Sequence, residues 1–205
     1  MDIFQYYLQT PVSTGIFIIT ILTSILAFRD GVLMYKFIFN PYRLVHQKEY
    51  QMLFSSALIH GSNMHLILNM LVFYFFAFSL ESILGSWQFF VLYWGSVVLS
   101  HIPRLISEKD NEMYNALGAS GGVSAVVMSM ILIQPDITLS LYFLIDMPGW
   151  LLGLGYMGYS FYAAIYRPHD KIGHDAHLWG GLAGLVLTVL LRPRTAADFF
   201  EWLGL

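Results

Sequence analysis

A serine, two histidines and an asparagine stand in this chain in settings that suit acyl transfer. The serine is Ser120, in Gly118-Ala119-Ser120-Gly121-Gly122 at the head of an apolar run. Glycines there permit a tight backbone and the close approach of another chain. A helix start also leaves N–H groups without intrahelical partners and with a partial positive charge. A serine at that point has a hydroxyl for attack and backbone donors for the oxyanion that follows. The first histidine is His177, in Ala176-His177-Leu178-Trp179-Gly180-Gly181-Leu182-Ala183-Gly184. Gly180 and Gly184 follow it by three and seven residues, so they share its side of a helix. That smooth side would let another helix approach until the imidazole reached its backbone. His65 and Asn69 stand four residues apart, on one helical face. Each motif also has a structural reading. Small residues at GxxxG-like spacing, here Gly118, Gly121, Gly180 and Gly184, pack helices, and a histidine or a His/Asn pair joins helices by hydrogen bonds.

The elements that must position these groups are membrane spans. Of 205 residues, 57% are hydrophobic and 11% charged, where soluble domains carry about 25% charged residues. Mean hydropathy is +0.63, and the apolar residues come in long blocks instead of one-faced stripes. Six segments approach the length of about 20 residues that a crossing helix needs: Val12–Phe28, Met64–Leu84, Trp87–Ile106, Ser120–Ile133, Trp150–Tyr166 and His177–Leu191. Arg29–Phe54 is a long mixed loop, and Ile137–Ile145 an interfacial piece. The expected fold is therefore all-α: a polytopic bundle of six transmembrane helices in one domain, residues 1–205. Met1–Pro11 lacks the basic region of a signal peptide and no cleavage pattern follows, so the first apolar run is expected to be a retained span. Alternate spans run in the same direction. Ser120, His177 and the His65/Asn69 pair thus start the fourth, sixth and second spans on one side of the membrane. A nucleophile, a base and two further donors at one depth make a hydrolytic site.

Other classes fit less well. Net charge is −3 without a basic cluster, which argues against nucleic acid. The absence of cysteine excludes disulfides, thiolate zinc sites and a cysteine nucleophile. A metalloprotease or zinc carrier using His60, His65, His174 and His177 lacks an H-E-x-x-H motif and any acidic ligand at suitable spacing. A transporter using the buried His, Asn and Arg104 would be expected to show internal repeats, and none is visible. No metal and no cofactor is expected.

Taken together, H-x-x-x-N in the second span, G-x-S-G at the fourth and A-H-x-x-G-x-x-x-G in the sixth resemble the rhomboid proteases. The resemblance covers nearly the whole chain. It implies a serine endopeptidase that cuts transmembrane proteins within the lipid bilayer, with Ser120 as nucleophile and His177 as base. The oxyanion would be held by the Ser120 N–H with the side chains of His65 and Asn69. No carboxylate completes a triad in the family. Asp175, two residues before His177, would point about 200° away on a helix and is expected in the loop. His60 would support the loop before the second span, and Glu81 matches a frequent acidic position of the family. A rhomboid-like protein that binds membrane proteins without cutting them is the alternative.

Two departures from the family bear on the site. Tyr50-Gln51-Met52 stands where many rhomboids have a Trp-Arg pair, so the first loop must be anchored differently. Ser124 replaces a tyrosine that in bacterial relatives packs on the histidine. Phe143 and Trp150 are candidates for an aromatic plug over the site. The bacterial type implies the bacterial cytoplasmic membrane, with the site open to the outer face. Arg29, Lys36, Arg43, Lys48, Arg104, Lys109, Arg167 and Lys171 instead crowd the odd loops, which the positive-inside rule would place in the cytoplasm.

Overall fold

A computed structural model describes residues 7–141, 145–167 and 173–204. Its helices, in chain order, are α1 (Pro11–Ala27), α2 (Gly31–Phe37), α3 (Pro41–His46), α4 (Met52–Ser55), α5 (Asn63–Leu84), α6 (Ser86–Ser107), α7 (Ser120–Ile133), α8 (Gly149–Tyr166), α9 (His174–Leu191) and α10 (Arg194–Trp202). Each of the six predicted segments is helical, but among the described residues only α5, α6 and α9 are long and apolar enough to cross a membrane. The 17-residue α1 and the 14-residue α7 are apolar and shorter.

α7 explains its own brevity. Ten of its residues, Gly121 to Val126 and Met128 to Ile131, are buried, because α5, α6, α8 and α9 surround it. At about 1.5 Å per residue it extends only some 21 Å, so its first residue, Ser120, starts inside the bundle. The outer surfaces are apolar: Ile18, Leu22, Ile67, Phe75, Leu154 and Leu190 are all exposed. Such a surface fits lipid, since soluble monomers rarely expose apolar patches of this extent.

Local chemistry fixes the helix ends. Ser62 caps α5 by accepting from the His65 N–H at 3.2 Å, as N-cap serines do. Gly85, at φ 88°, is the one residue between α5 and α6, a turn that a side chain would strain. α1 has no side-chain cap of its own. Instead the buried Glu81 carboxylate of α5 accepts from the Val12 and Ser13 N–H groups at 3.1 and 2.6 Å, and from the Ser86 hydroxyl at 2.7 Å. A negative charge at a helix N-terminus is favoured by the helix dipole, which accounts for an acidic residue in the middle of an apolar bundle.

Two expectations change, and a third segment acquires a shape. The Arg29–Phe54 loop contains α2, α3 and α4. Asp30 caps α2 by accepting from Val32 and Leu33, and Asn40 caps α3 by accepting from Arg43. The segment expected to lie in the interface forms an antiparallel hairpin, β1 (Thr138–Leu141) with β2 (Ile145–Pro148), Thr138 opposite Pro148. The sixth span begins at His174, so Asp175 belongs to the first turn of α9 and not to the loop. An acidic residue is a good occupant of a first turn, and this is why the helix reaches back past His177.

Candidate active site

The segment before Ser120 is tied down at Ala116, Gly118 and Ala119. Ala116 and Phe39 exchange both backbone hydrogen bonds at 2.9 Å, and the Gly118 N–H donates to the Ser56 carbonyl at 2.9 Å. The Ala119 N–H donates to His60 Nε2 at 3.4 Å. A backbone N–H can only donate, so Nε2 carries no proton and Nδ1–H donates to Ser24 Oγ at 3.0 Å. Ser24 Oγ in turn donates to the Leu58 carbonyl at 3.1 Å. Burial, with His65 adding to it, pushes the His60 pKa down to about 3, so the ring is neutral. His60 thus joins α1 to the residue preceding the serine.

The first loop has its own anchors in place of the absent Trp-Arg pair. Asn40 Nδ2 donates to the Glu112 and Tyr114 carbonyls at 2.9 and 3.0 Å. Buried Arg43 pairs with Glu49, donates to the Tyr35 carbonyl at 2.7 Å and lies 3.9 Å over the Tyr35 ring. Phe39 stacks on His101, ring centroids 4.2 Å apart, and His101 Nε2 meets Ser56 Oγ at 3.1 Å. These contacts hold the strip Phe39–Ala116 against α6, and through it the turn at Gly118.

Gly118 stands before α7, not within a helix, at φ 114°. A Cβ there would lie 2.7 Å from His65 Cε1 and 2.9 Å from Nε2. The imidazole of His65 therefore rests on the backbone two residues before Ser120. Of the other three glycines, Gly180 and Gly184 bring α9 against α7, and Gly121 brings α6 against α7. A Cβ on Gly180 would lie 2.2 Å from the Gly121 carbonyl oxygen, and one on Gly184 would lie 2.5 Å from Ala125 Cα. On Gly121 it would meet Ser100 Oγ of α6 at 2.4 Å. The helices bearing Ser120 and His177 touch backbone to backbone, the closest approach side-chain-free positions allow.

Ser120, His177, His65 and Asn69 all line one cavity of about 1180 Å³. Asn69 is 8% exposed and donates through Nδ2 to the His65 carbonyl at 3.1 Å. Asp175, which borders the same cavity, pairs with Arg104 of α6, Nε to Oδ2 at 2.5 Å. This fastens the first turn of α9 to the last turns of α6. Two contacts escaped sequence reasoning. The ring of Tyr156, from α8, stacks on His177 with centroids 6.0 Å apart and planes 26° from parallel. Its hydroxyl lies 2.5 Å from Ser124 Oγ. The replacement of a tyrosine by serine at position 124 was the one available signal that an aromatic ring had to come from elsewhere.

Trp150 does not cover the site. With Asp136, Asp146 and Trp202 it lines a separate pocket of about 280 Å³ by the hairpin, at the far end of α7 from Ser120. Trp202 of α10 donates to Asp136 there at 2.5 Å. Phe143 lies outside the described residues. Among the described residues no three His, Asp or Glu side chains are grouped as metal ligands.

Comparison with known proteins agrees with this architecture. The Rhomboid domain family model matches residues 47–194. The chain is 28% identical over 155 residues to RHOMBOID-like protein 12, mitochondrial, of Arabidopsis thaliana, covering 68% of this chain and 46% of that protein. It is 27% identical over 147 residues to Presenilin-associated rhomboid-like protein A, mitochondrial, of Danio rerio, covering 63% and 34%. This chain belongs to the rhomboid family. It spans less than half the length of either relative. Both carry a mitochondrial designation, so the expected bacterial cytoplasmic membrane finds no support in them.

Proposed function

We propose that this protein is an intramembrane serine endopeptidase, its six apolar helices all embedded, that cleaves transmembrane proteins with a Ser120–His177 dyad. The observation that supports it best is the shared cavity. The head of α7, the histidine of α9 and the His65/Asn69 face of α5 all border it. The cavity also runs between Leu68, Val72 and Phe76 of α5 and Leu152 and Gly153 of α8, two helices that scarcely touch one another. An apolar opening at that level would admit a substrate helix sideways from lipid.

Ser120 Oγ attacks the scissile carbonyl carbon while His177 takes the hydroxyl proton. The carbonyl oxygen becomes an oxyanion and meets the Ser120 N–H, which as the first of α7 has no intrahelical acceptor, together with the His65 and Asn69 side chains. Collapse breaks the C–N bond as His177 returns its proton to the leaving amine. Water then attacks the acyl-enzyme by the same route in reverse, freeing the acid and Ser120. Asp175 is committed to Arg104 and takes no part.

The test is cleavage of a model transmembrane substrate together with labelling of Ser120 by a fluorophosphonate. Ser120→Ala and His177→Ala should each abolish both while the protein stays folded, and Asp175→Asn should retain substantial activity. Normal cutting by His177→Ala removes the proposed base. A wild-type protein that neither cuts nor labels is instead a rhomboid-like binder of membrane proteins.

A further inference from the structure

The seams around α7 differ in kind. Against α9 the contact is backbone on backbone, through Gly180 with Gly121 and Gly184 with Ala125. Against α8 it is made by side-chain ends, of Ile131 first and then Met128. A Cβ on Gly153 of α8 would meet Met128 of α7 and Ile131, and one on Gly181 of α9 would meet Met157 of α8 and Met128. Unbranched thioether side chains adapt to altered spacing far better than backbone does. α8 buries only Gly149, Gly153, Ser160 and Ala163 of its 18 residues, and it leaves the gap toward α5 open. Among the helices that line the cavity it is the least buried.

Tyr156 rides on that helix. Ser124 Oγ donates its one hydrogen to the Ser120 carbonyl at 2.7 Å, so the Tyr156 hydroxyl must be the donor in its contact with Ser124. The tyrosine therefore reaches both halves of the dyad: its ring lies on His177, and its hydroxyl bonds the residue one turn after Ser120. We infer that Tyr156 is a positioning residue that couples the dyad's alignment to the place of α8. When α8 tilts outward to widen the lateral opening, ring and hydroxyl leave together, and His177 loses the surface that orients it. The site is then incomplete until α8 returns over the admitted segment. Had the ring come from α7, alignment and opening would be independent. This rests on the protease reading above.

Purified protein labelled with a fluorophosphonate reports the dyad without requiring a substrate helix to enter. Tyr156→Ala should slow labelling about 10-fold or more and lower kcat for a transmembrane substrate more than it changes KM. Tyr156→Phe, which keeps the ring, should lose much less. Adding Ser124→Tyr to Tyr156→Ala supplies a ring from α7 and should recover most of the labelling rate. Met157→Ala, which loosens α8 on Gly181, should slow labelling in the native background but leave the ring-swapped variant unaffected. Wild-type labelling rates in Tyr156→Ala, or equal losses in Tyr156→Ala and Tyr156→Phe, overturn the positioning role. Equal effects of Met157→Ala in both backgrounds overturn the coupling. Failure of the wild-type protein to label overturns the protease reading itself, and this inference with it.

Discussion

Substituting Gly180 with alanine probes the closest contact in the bundle with the smallest possible change. The new Cβ would sit 2.2 Å from the Gly121 carbonyl oxygen and 2.8 Å from its carbonyl carbon. Carbon and oxygen in contact lie about 3.3–3.6 Å apart, so α9 and α7 must separate by roughly 1 Å at this level. The obstructing atoms are backbone, held in α7 by its own hydrogen bonds, and no side chain can swing aside to absorb the strain. Overpacking of this kind costs about 1–3 kcal/mol of stability. His177 is three residues from Gly180 and Ser120 is next to Gly121, so most of the displacement falls between the proposed nucleophile and its proposed base. A misplacement of about 1 Å is worth roughly 10² in rate. Gly180→Ala should therefore slow fluorophosphonate labelling of Ser120 about 100-fold while lowering the unfolding temperature in detergent only moderately. Gly15→Ala is the control. Nothing lies within 4 Å of a Cβ at Gly15 of α1, and alanine in a helix interior is favoured over glycine by about 0.5–1 kcal/mol. It should label at the native rate with equal or greater stability. If Gly180→Ala also labels at the native rate, the spacing of α7 and α9 does not set the geometry of the dyad.

On the proposed oxyanion role, Asn69→Ala should lower kcat about 10²–10³-fold, the usual cost of one lost oxyanion donor, with a smaller change in KM; an effect on KM alone would move Asn69 to substrate binding. His60 is neutral in the folded protein, with its pKa lowered to about 3 by burial, whereas unfolded it would titrate near 6.5. Between those values the unfolded chain binds the extra proton, so stability falls as pH falls from about 6.5 toward 3, by up to about 1.4 kcal/mol per unit for one group. Denaturant unfolding from pH 6.5 to 4.5 should show a slope in His60→Asn that is shallower by about that amount; equal slopes would mean that His60 is protonated in the fold. For orientation, single cysteines at Lys109 and Asp198 of this cysteine-free chain, challenged in intact cells or organelles with a membrane-impermeant maleimide, should react at 109 and not at 198 if the site opens to the outer face. The reverse pattern would show that the crowding of basic residues on the odd loops had set the topology.

What could be read from the sequence was what depends on short range. The six apolar runs gave six helices because a run of that composition satisfies its backbone only by closing i to i−4 bonds. α7 was placed to the residue, Ser120–Ile133, since a glycine turn and a polar-to-apolar boundary coincide at Ser120. Gly180 and Gly184 were legible as a face because three- and seven-residue spacings project from one side of any helix. Asp175 was misplaced by three residues of helix start. The carboxylate that stabilises that first turn also pairs with Arg104, which is 71 positions away, and no local pattern carries such a pairing.

Tyr156 shows where that boundary lies. It is 32 residues from Ser124 and 21 from His177, in a span whose other aromatic residues, such as Phe161, Tyr162 and Tyr166, face outward. Nothing in the run Gly155-Tyr156-Met157-Gly158 separates a tyrosine bound for the cavity from one bound for lipid. What selects it is tertiary: helix α8 rests on the side-chain ends of Ile131 and Met128, and the Tyr156 ring falls between Ser124 and His177. Serine at 124 then has two consequences rather than one. It vacates the volume the ring needs, and its hydroxyl bridges the Tyr156 hydroxyl to the Ser120 carbonyl. Reverting 124 to tyrosine without removing Tyr156 should therefore be worse than either residue alone, because both rings would compete for the same face of His177.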